Sequence, residues 1–279
     1  MITSSSIPLL YAARALRGFG DGFAIILLPV YLSALGYGPV EVGVVATAAL
    51  LGSAATTLGV GVLARRYPLR NLLLAGAILM AATGVALPAF EPIAAIALVA
   101  FLGTINPSSG DIGLLIPLEH ASLAQGVAAD KRTHTFARYS LIGAMATAAG
   151  SLAAAAPQFL AAQGMEQITA IKLMFYGYAA LGLLAAVLYR FIPARPVAAS
   201  AAKPAVLGPS RGIVIKLAAL FSIDSFAGGF VVQSLLALWL FQRFNLSLES
   251  AGGLFFWTGA NCGGFYTNFS LIDTTFTHE

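Results

Sequence analysis

Three aspartates stand inside stretches of the chain too apolar to solvate them: Asp21, Asp111 and Asp224. An ionisable group costs a few kcal/mol at the centre of a membrane-spanning helix, so it faces a bundle interior or a wet cavity and finds a partner there. A carboxyl group so placed can carry a proton or hold a cation, because protonation removes most of the cost of burying it. Asp111 ends the run NPSSGD, residues 106–111, which is set between IAAIALVAFLGTI and IGLLIPL. Pro107 has no backbone donor and its ring clashes with the preceding turn, so a helix here breaks near Ile105–Asn106. Asn106, Ser108 and Ser109 offer partners to the carbonyls the break releases. Irregular backbone at membrane depth survives only when packed in protein or lining a cavity. Two outcomes are open. One is a solute or coupling-ion site built on Asn106, Ser108, Ser109 and Asp111; the other is a structural kink in which Asp111 pairs with Arg138. Arg14, Arg17 and Asp21 recur at i, i+3 and i+7 on one helix face. They form either an ion-paired anchor with the arginines snorkelling to the inner headgroups, or a proton or cation site at Asp21 tuned by Arg17.

The other chemistry-bearing residues point nowhere so specific. Glu119 and His120, in PLEHA, close the same apolar run and read as solvated residues at the membrane surface, as does His134 in KRTHTFAR. A lone Glu–His pair lacks the ligand count of a metal site. The single cysteine, Cys262, excludes a disulfide framework and reads as a small apolar filler. There is no phosphate-binding glycine loop, serine elbow, zinc-binding histidine helix or thiol pair, so neither ATP-driven nor hydrolytic chemistry is expected, and no metal or cofactor. The basic residues sit in short loops and give no reason to invoke nucleic acid.

What must position the aspartates follows from composition. Of 279 residues, 59% are hydrophobic and 9% charged, against about 25% charged in soluble domains. So few charges cannot cover a water-facing surface, and the chain reads as an all-α, polytopic membrane bundle. A span needs about 20 apolar residues. The predicted spans are 8–35, 40–63, 71–90, 92–118, 137–157, 168–192, 213–241 and 250–270, the last the weakest because ANCGGFYTNFSLIDTTFTHE is polar and turn-rich. The N-terminal stretch lacks the order of a secretory signal, so its apolar run is expected to be a retained first span. With the N-terminus in the cytoplasm, the inner loops hold Arg65, Arg66, Arg70, Lys131, Arg132, Arg138, Arg190, Arg195, Lys203, Arg211 and Lys216, and the outer loops only Lys172 and Arg243. Basic residues concentrate in cytoplasmic loops, so this orientation, in a plasma (inner) membrane, is the expected one. Residues 193–212, PARPVAASAAKPAVLGPSRG, read as a cytoplasmic linker. It divides a six-span bundle over 1–192 from a partial second bundle over 213–279.

Across the linker the pattern restarts. GFGDGFAIILLPVYLSAL, residues 18–35, aligns with FSIDSFAGGFVVQSLLAL, residues 221–238, placing Asp21 on Asp224, Phe23 on Phe226 and Leu32 on Leu235. Six spans, a basic linker and a restart in the same orientation are the mark of a parallel internal repeat. In the loop after the second span, GVLARRYPLR keeps Gly61, Arg66 and Arg70 of a motif running Gly, three residues, Asp, Arg, any, Gly, Arg, then Arg or Lys. Arg65 stands where that motif has aspartate, Pro68 where it has glycine and Leu69 where it has arginine. In these features the chain resembles the first half, and the beginning of the second, of a major facilitator superfamily transporter. A complete member of that family has twelve spans, so the resemblance implies missing C-terminal spans and a truncated chain.

The expected function is secondary active transport of a small solute by alternating access, coupled to protons or a cation. Asp21 and Asp111 from the first half and Asp224 from the second would carry it, with Arg14, Arg17 and Arg138 as charge partners. The alternative is a non-transporting sensor or assembly protein on the same bundle, in which the aspartates are static ion pairs. A membrane-embedded enzyme would need a nucleophile, base or metal set clustered at one depth, and the sequence has none. The expected partners are therefore the lipid bilayer and a small-molecule or ion substrate.

Overall fold

The computed structural model describes residues 6–108, 113–193, 211–228, 232–244 and 246–261. Among them there is no strand. The helices are α1 (Ser6–Ala34), α2 (Pro39–Leu63), α3 (Leu69–Ala89), α4 (Ile93–Leu102), α5 (Leu115–Gly126), α6 (Arg132–Ala153), α7 (Ala156–Ala162), α8 (Gln167–Arg190), α9 (Arg211–Gly228), α10 (Gln233–Phe244) and α11 over 248–261. Five of the described helical stretches are long and apolar enough to cross a bilayer, and α4 is a shorter apolar helix.

The fourth predicted span, 92–118, is not one helix. It stops at Leu102 and resumes at Leu115, so the break begins two residues before Ile105. Proline clashes with the carbonyl four residues earlier, and four before Pro107 is Gly103. Gly103 is accordingly the first residue off the helix, with extended backbone. The fifth span runs farther than predicted, from Arg132 through α7 to Ala162. Its helix is interrupted at Ala154–Ala155, just ahead of Pro157 in the first turn of α7. The seventh, predicted over 213–241, is described as α9 and α10. Of the proposed linker, 193–212, residues 194–210 lie outside the described residues, and Arg211 and Gly212 already belong to α9.

α1 is the central column. It is mostly buried and packs against α6, α8 and α10; α3 packs on α8, and α2 on α4. Its aromatic and aliphatic residues, Phe23, Leu27, Tyr31 and Leu32 among them, fill the larger core with Phe175 and Tyr178 of α8. A second core near the α1 N-terminus gathers Leu10, Leu73, Leu115, Tyr139 and Tyr189. The outer faces are apolar too: Val40, Val44, Leu51 and Leu58 on α2, and Leu183, Leu184 and Val187 on α8, are exposed. Exposed apolar area on this scale marks surface that meets lipid or another protein, and with five helices long and apolar enough to cross a bilayer the chain is an integral membrane protein.

The α1–α6 seam uses small residues. A β-carbon added at Gly150 would collide with the carbonyl oxygen of Phe19, and one at Gly22 with that of Thr147. Small residues let membrane helices come this close. Gly150→Leu is therefore expected to cost about 1–3 kcal/mol or more through overpacking. Gly59→Leu, at a position where an added β-carbon meets nothing, should be tolerated. Melting of the two purified variants beside the native protein checks this; equal melting of the two would contradict the seam.

Candidate functional site

The break in the fourth span has to satisfy the backbone it frees, and it does so with side chains from α3 and α8. The Thr104 amide donates to Thr83 Oγ1 at 3.3 Å, while Thr83 itself donates to the Leu79 carbonyl. The Thr104 hydroxyl and the Tyr178 phenol are 3.1 Å apart. Tyr178 donates to Asp21 Oδ1 at 3.2 Å, so the Thr104 hydroxyl is the donor in its own contact. A hydrogen-bonded chain thus runs Thr104, Tyr178, Asp21 from the broken span to the centre of α1. Asn106 Oδ1 accepts from the Ser108 amide at 3.0 Å, a local turn that shapes the backbone just past the break. The Pro107 carbonyl accepts from the Ser234 amide at 3.0 Å, which ties the break to the first turn of α10.

Asp21 is half-buried and lines a cleft with Arg17, Ser53, Thr56, Thr104 and Tyr178. The cleft is narrow, about 30 Å³, room for roughly a single water. Ser53 and Thr56 come from the half of α2 whose neighbouring residues are exposed.

Arg17 does not snorkel. It is 5% exposed, as is Arg14, and its guanidinium forms an ion pair with Glu119. The surface reading of Glu119 is wrong: its side chain is wholly buried. The phenols of Tyr139 and Tyr189 both donate to its carboxylate, and Arg17 Nε donates to Tyr189 at 3.1 Å. Tyr189 thereby accepts from Arg17 and donates to Glu119, closing a ring of hydrogen bonds among α1, α5, α6 and α8. Charge-assisted bonds of this kind compensate the desolvation of a buried pair. Arg14 lies 5.4 Å over the Tyr139 ring, in space that Gly143 leaves open: a β-carbon there would meet the guanidinium. His120 packs edge-on to Phe136 and Tyr139 and is half-buried, not solvated.

Glu119 was missed because it was placed at the end of a continuous span. A signal was present. Leu115, Leu118, Glu119, Ser122 and Leu123 fall at i, i+3, i+4, i+7 and i+8, one helix face, and all five are buried. The acid sits in the middle of an otherwise leucine-rich stripe, which is the pattern of a buried polar contact. Tyr178 and Tyr189 are eleven residues apart on α8, three turns along the same face.

Ser109 and Asp111 lie outside the described residues, so the pairing of Asp111 with Arg138 does too; Arg138 itself is exposed. Asp224 falls within the backbone of α9, whose side-chain placement at that position is likewise outside the description. Gly61 and Arg66 are exposed at and just past the end of α2, and Arg70 is half-buried in the first turn of α3. Among the described residues no group of three or more histidine, cysteine or acidic side chains could hold a metal ion.

The family model described as Major Facilitator Superfamily matches residues 3–270. The fold is similar to the crystal structure of a POT family transporter in complex with a thioalcohol-conjugated peptide. The TM-score is 0.50 and the identity 15%, over 81% of this chain and 47% of that one. The chain therefore spans about half the length of that transporter. Comparison with curated proteins gives no match.

Proposed function

This chain belongs to the Major Facilitator Superfamily, and we propose on that premise that it works as a secondary active transporter, moving a small solute by alternating access with coupling to protons or a cation. The observation that carries the reading is the chain from Thr104 through Tyr178 to Asp21. It joins a carboxylate in a narrow polar cleft to a broken helix, which supplies freed backbone dipoles beside a titratable group, as a solute or ion site requires. Protonation of Asp21 removes the cost of enclosing it and lets the cleft close; release of the proton on the other side lets it reopen. Arg17 and Glu119 play a different part. Buried and mutually satisfied, they fasten α1 to α5 and serve as the fixed frame around Asp21. The basic-residue bias supports an N-terminus in the cytoplasm and placement in a plasma or inner membrane. In this reading residues 213–279 open a second bundle, with Asp224 the counterpart of Asp21 and Asp111 near the break.

Aqueous access tests the pathway directly. With Cys262 replaced by alanine, single cysteines at Thr104 and Ser108 are exposed to a membrane-impermeant thiol reagent in vesicles of both orientations. Labelling at both positions is expected, with the accessible side changing with pH. Protection of both from either side at every pH would overturn an aqueous path past the break.

A further inference from the structure

A second concavity lies at the other end of α1. It occupies about 620 Å³ between the last turns of α1, α7, the start of α8, and α10 with the turn after it, well within the range of small-molecule sites. Ser33, on its wall, follows Asp21 by twelve helical residues, about 18 Å along the axis. The two places are therefore separate.

Among the described residues, the polar wall of this cavity carries no charge. Its hydrogen-bonding groups are Ser33 from α1, Gln158 from α7, Gln167 from α8, Gln242 from α10 and Ser247 beyond it, with Phe241 supplying an apolar face. Glu166, next to Gln167, accepts from Thr169 at 3.2 Å and is not part of the wall. Three primary amides from three separate helices converge here, and none is hydrogen-bonded to another side chain or to the backbone among the described residues. Each amide offers two donors and a carbonyl acceptor, which matches paired hydroxyls. An ion entering this wall would lose hydration without meeting a counter-charge.

We propose that this cavity binds an uncharged, hydroxyl-rich solute of sugar size, held by Gln158, Gln167 and Gln242 and laid against Phe241. Because α10 and Ser247 form one side and α1, α7 and α8 the other, an occupant bridges them and favours the arrangement in which they are together. Binding stands on the cavity alone; a role as the outer mouth of a transport path rests on the function proposed above. A hydroxyl-rich lipid headgroup shares the same chemistry, and the assignment is to the soluble solute.

The test is melting of the whole protein in phosphatidylcholine nanodiscs, with sucrose as probe and gluconate as its charged counterpart. Sucrose also stabilises proteins by exclusion from their surface, an effect without saturation, so saturation identifies binding. The expected result is a saturable rise with sucrose and none with gluconate. Gln158→Leu with Gln242→Leu should weaken the sucrose midpoint at least about tenfold. The melting temperature without ligand should stay unchanged, since both residues are exposed. A rise that never saturates, one equal in the double variant, or one equal with gluconate would each overturn the proposal, as would protection seen only when a glycosyl lipid is built into the disc. This readout needs no transport, so an Asp21 variant should bind sucrose normally even where flux is lost.

Discussion

Glu119→Leu is expected to destabilise the protein by about 3–5 kcal/mol, enough to prevent recovery of folded protein from the membrane. The cause is what the substitution leaves behind. Arg17 is 5% exposed, and the carboxylate is its ion-pair partner; without it a guanidinium stays enclosed with two phenols that have lost their acceptor. Leaving a buried charge uncompensated costs far more than the intact pair contributes, because the pair's attraction largely repays its desolvation. The same reasoning gives the control. Arg17→Met combined with Glu119→Leu removes both charges and fills similar volume, so the double variant should recover most of the lost stability. Glu119→Gln keeps the shape and part of the hydrogen bonding and should fall between. Melting in detergent, followed by intrinsic fluorescence or by aggregation, reads all three. A single Glu119→Leu variant that melts with the native protein would sink the description of this pair as a sealed frame.

Asp21→Asn should do the reverse: spare the fold and remove the coupling. The asparagine is isosteric and still accepts the hydrogen bond of Tyr178, so little packing is lost. It cannot take up and release a proton, and positioned proton transfer is worth about 10²–10⁴-fold; loss of at least a hundredfold in proton-coupled flux is the expected outcome. The measurement is dissipation of an imposed pH gradient across everted vesicles on addition of members of a solute panel, native protein against variant, with melting as the check on folding. Tyr178→Phe leaves the carboxyl group in place and removes only its donor and the link to Thr104, so a milder loss is expected there. Flux and pH dependence unchanged in Asp21→Asn would remove the carboxyl group from the mechanism and turn attention to Asp111 and Asp224. Together with the glycine pair, the cysteine labelling and the sucrose titration, these variants separate frame from moving part.

Much of the fold was legible because the bilayer imposes it. With water excluded, each spanning segment must satisfy its own backbone bonds, so length and apolarity alone mark out α1, α2, α3 and α8 to within a few residues. Pro107 announced a break for the same reason, since the missing donor and the clash are local. The starting point of that break, Gly103, needed only the reach of the proline ring. Less was legible of the site. Asp21 and Arg17 drew notice by being charged in apolar surroundings, but their partners could not be assigned from spacing. Along one helix they looked like a pair, while in the fold Arg17 turns to Glu119 on α5 and Asp21 takes its hydrogen bond from Tyr178 on α8.

What the sequence determined by itself, then, is the membrane, the rough bounds of α1, α2, α3 and α8, the interruption at Pro107 and the superfamily resemblance. All of these rest on local backbone physics or on composition summed along the chain. Tertiary structure decided which face each helix turns inward. It moved Glu119 from an assumed surface to a sealed interior, placed Thr104 on the Asp21 chain, and gathered three glutamines that lie up to 84 residues apart at one end of the bundle. Those choices depend on helices meeting across long stretches of sequence, more than a hundred residues where Arg17 meets Glu119 and Tyr189. Which of a carboxylate's possible donors arrives first is settled by packing, whose energy no single segment carries.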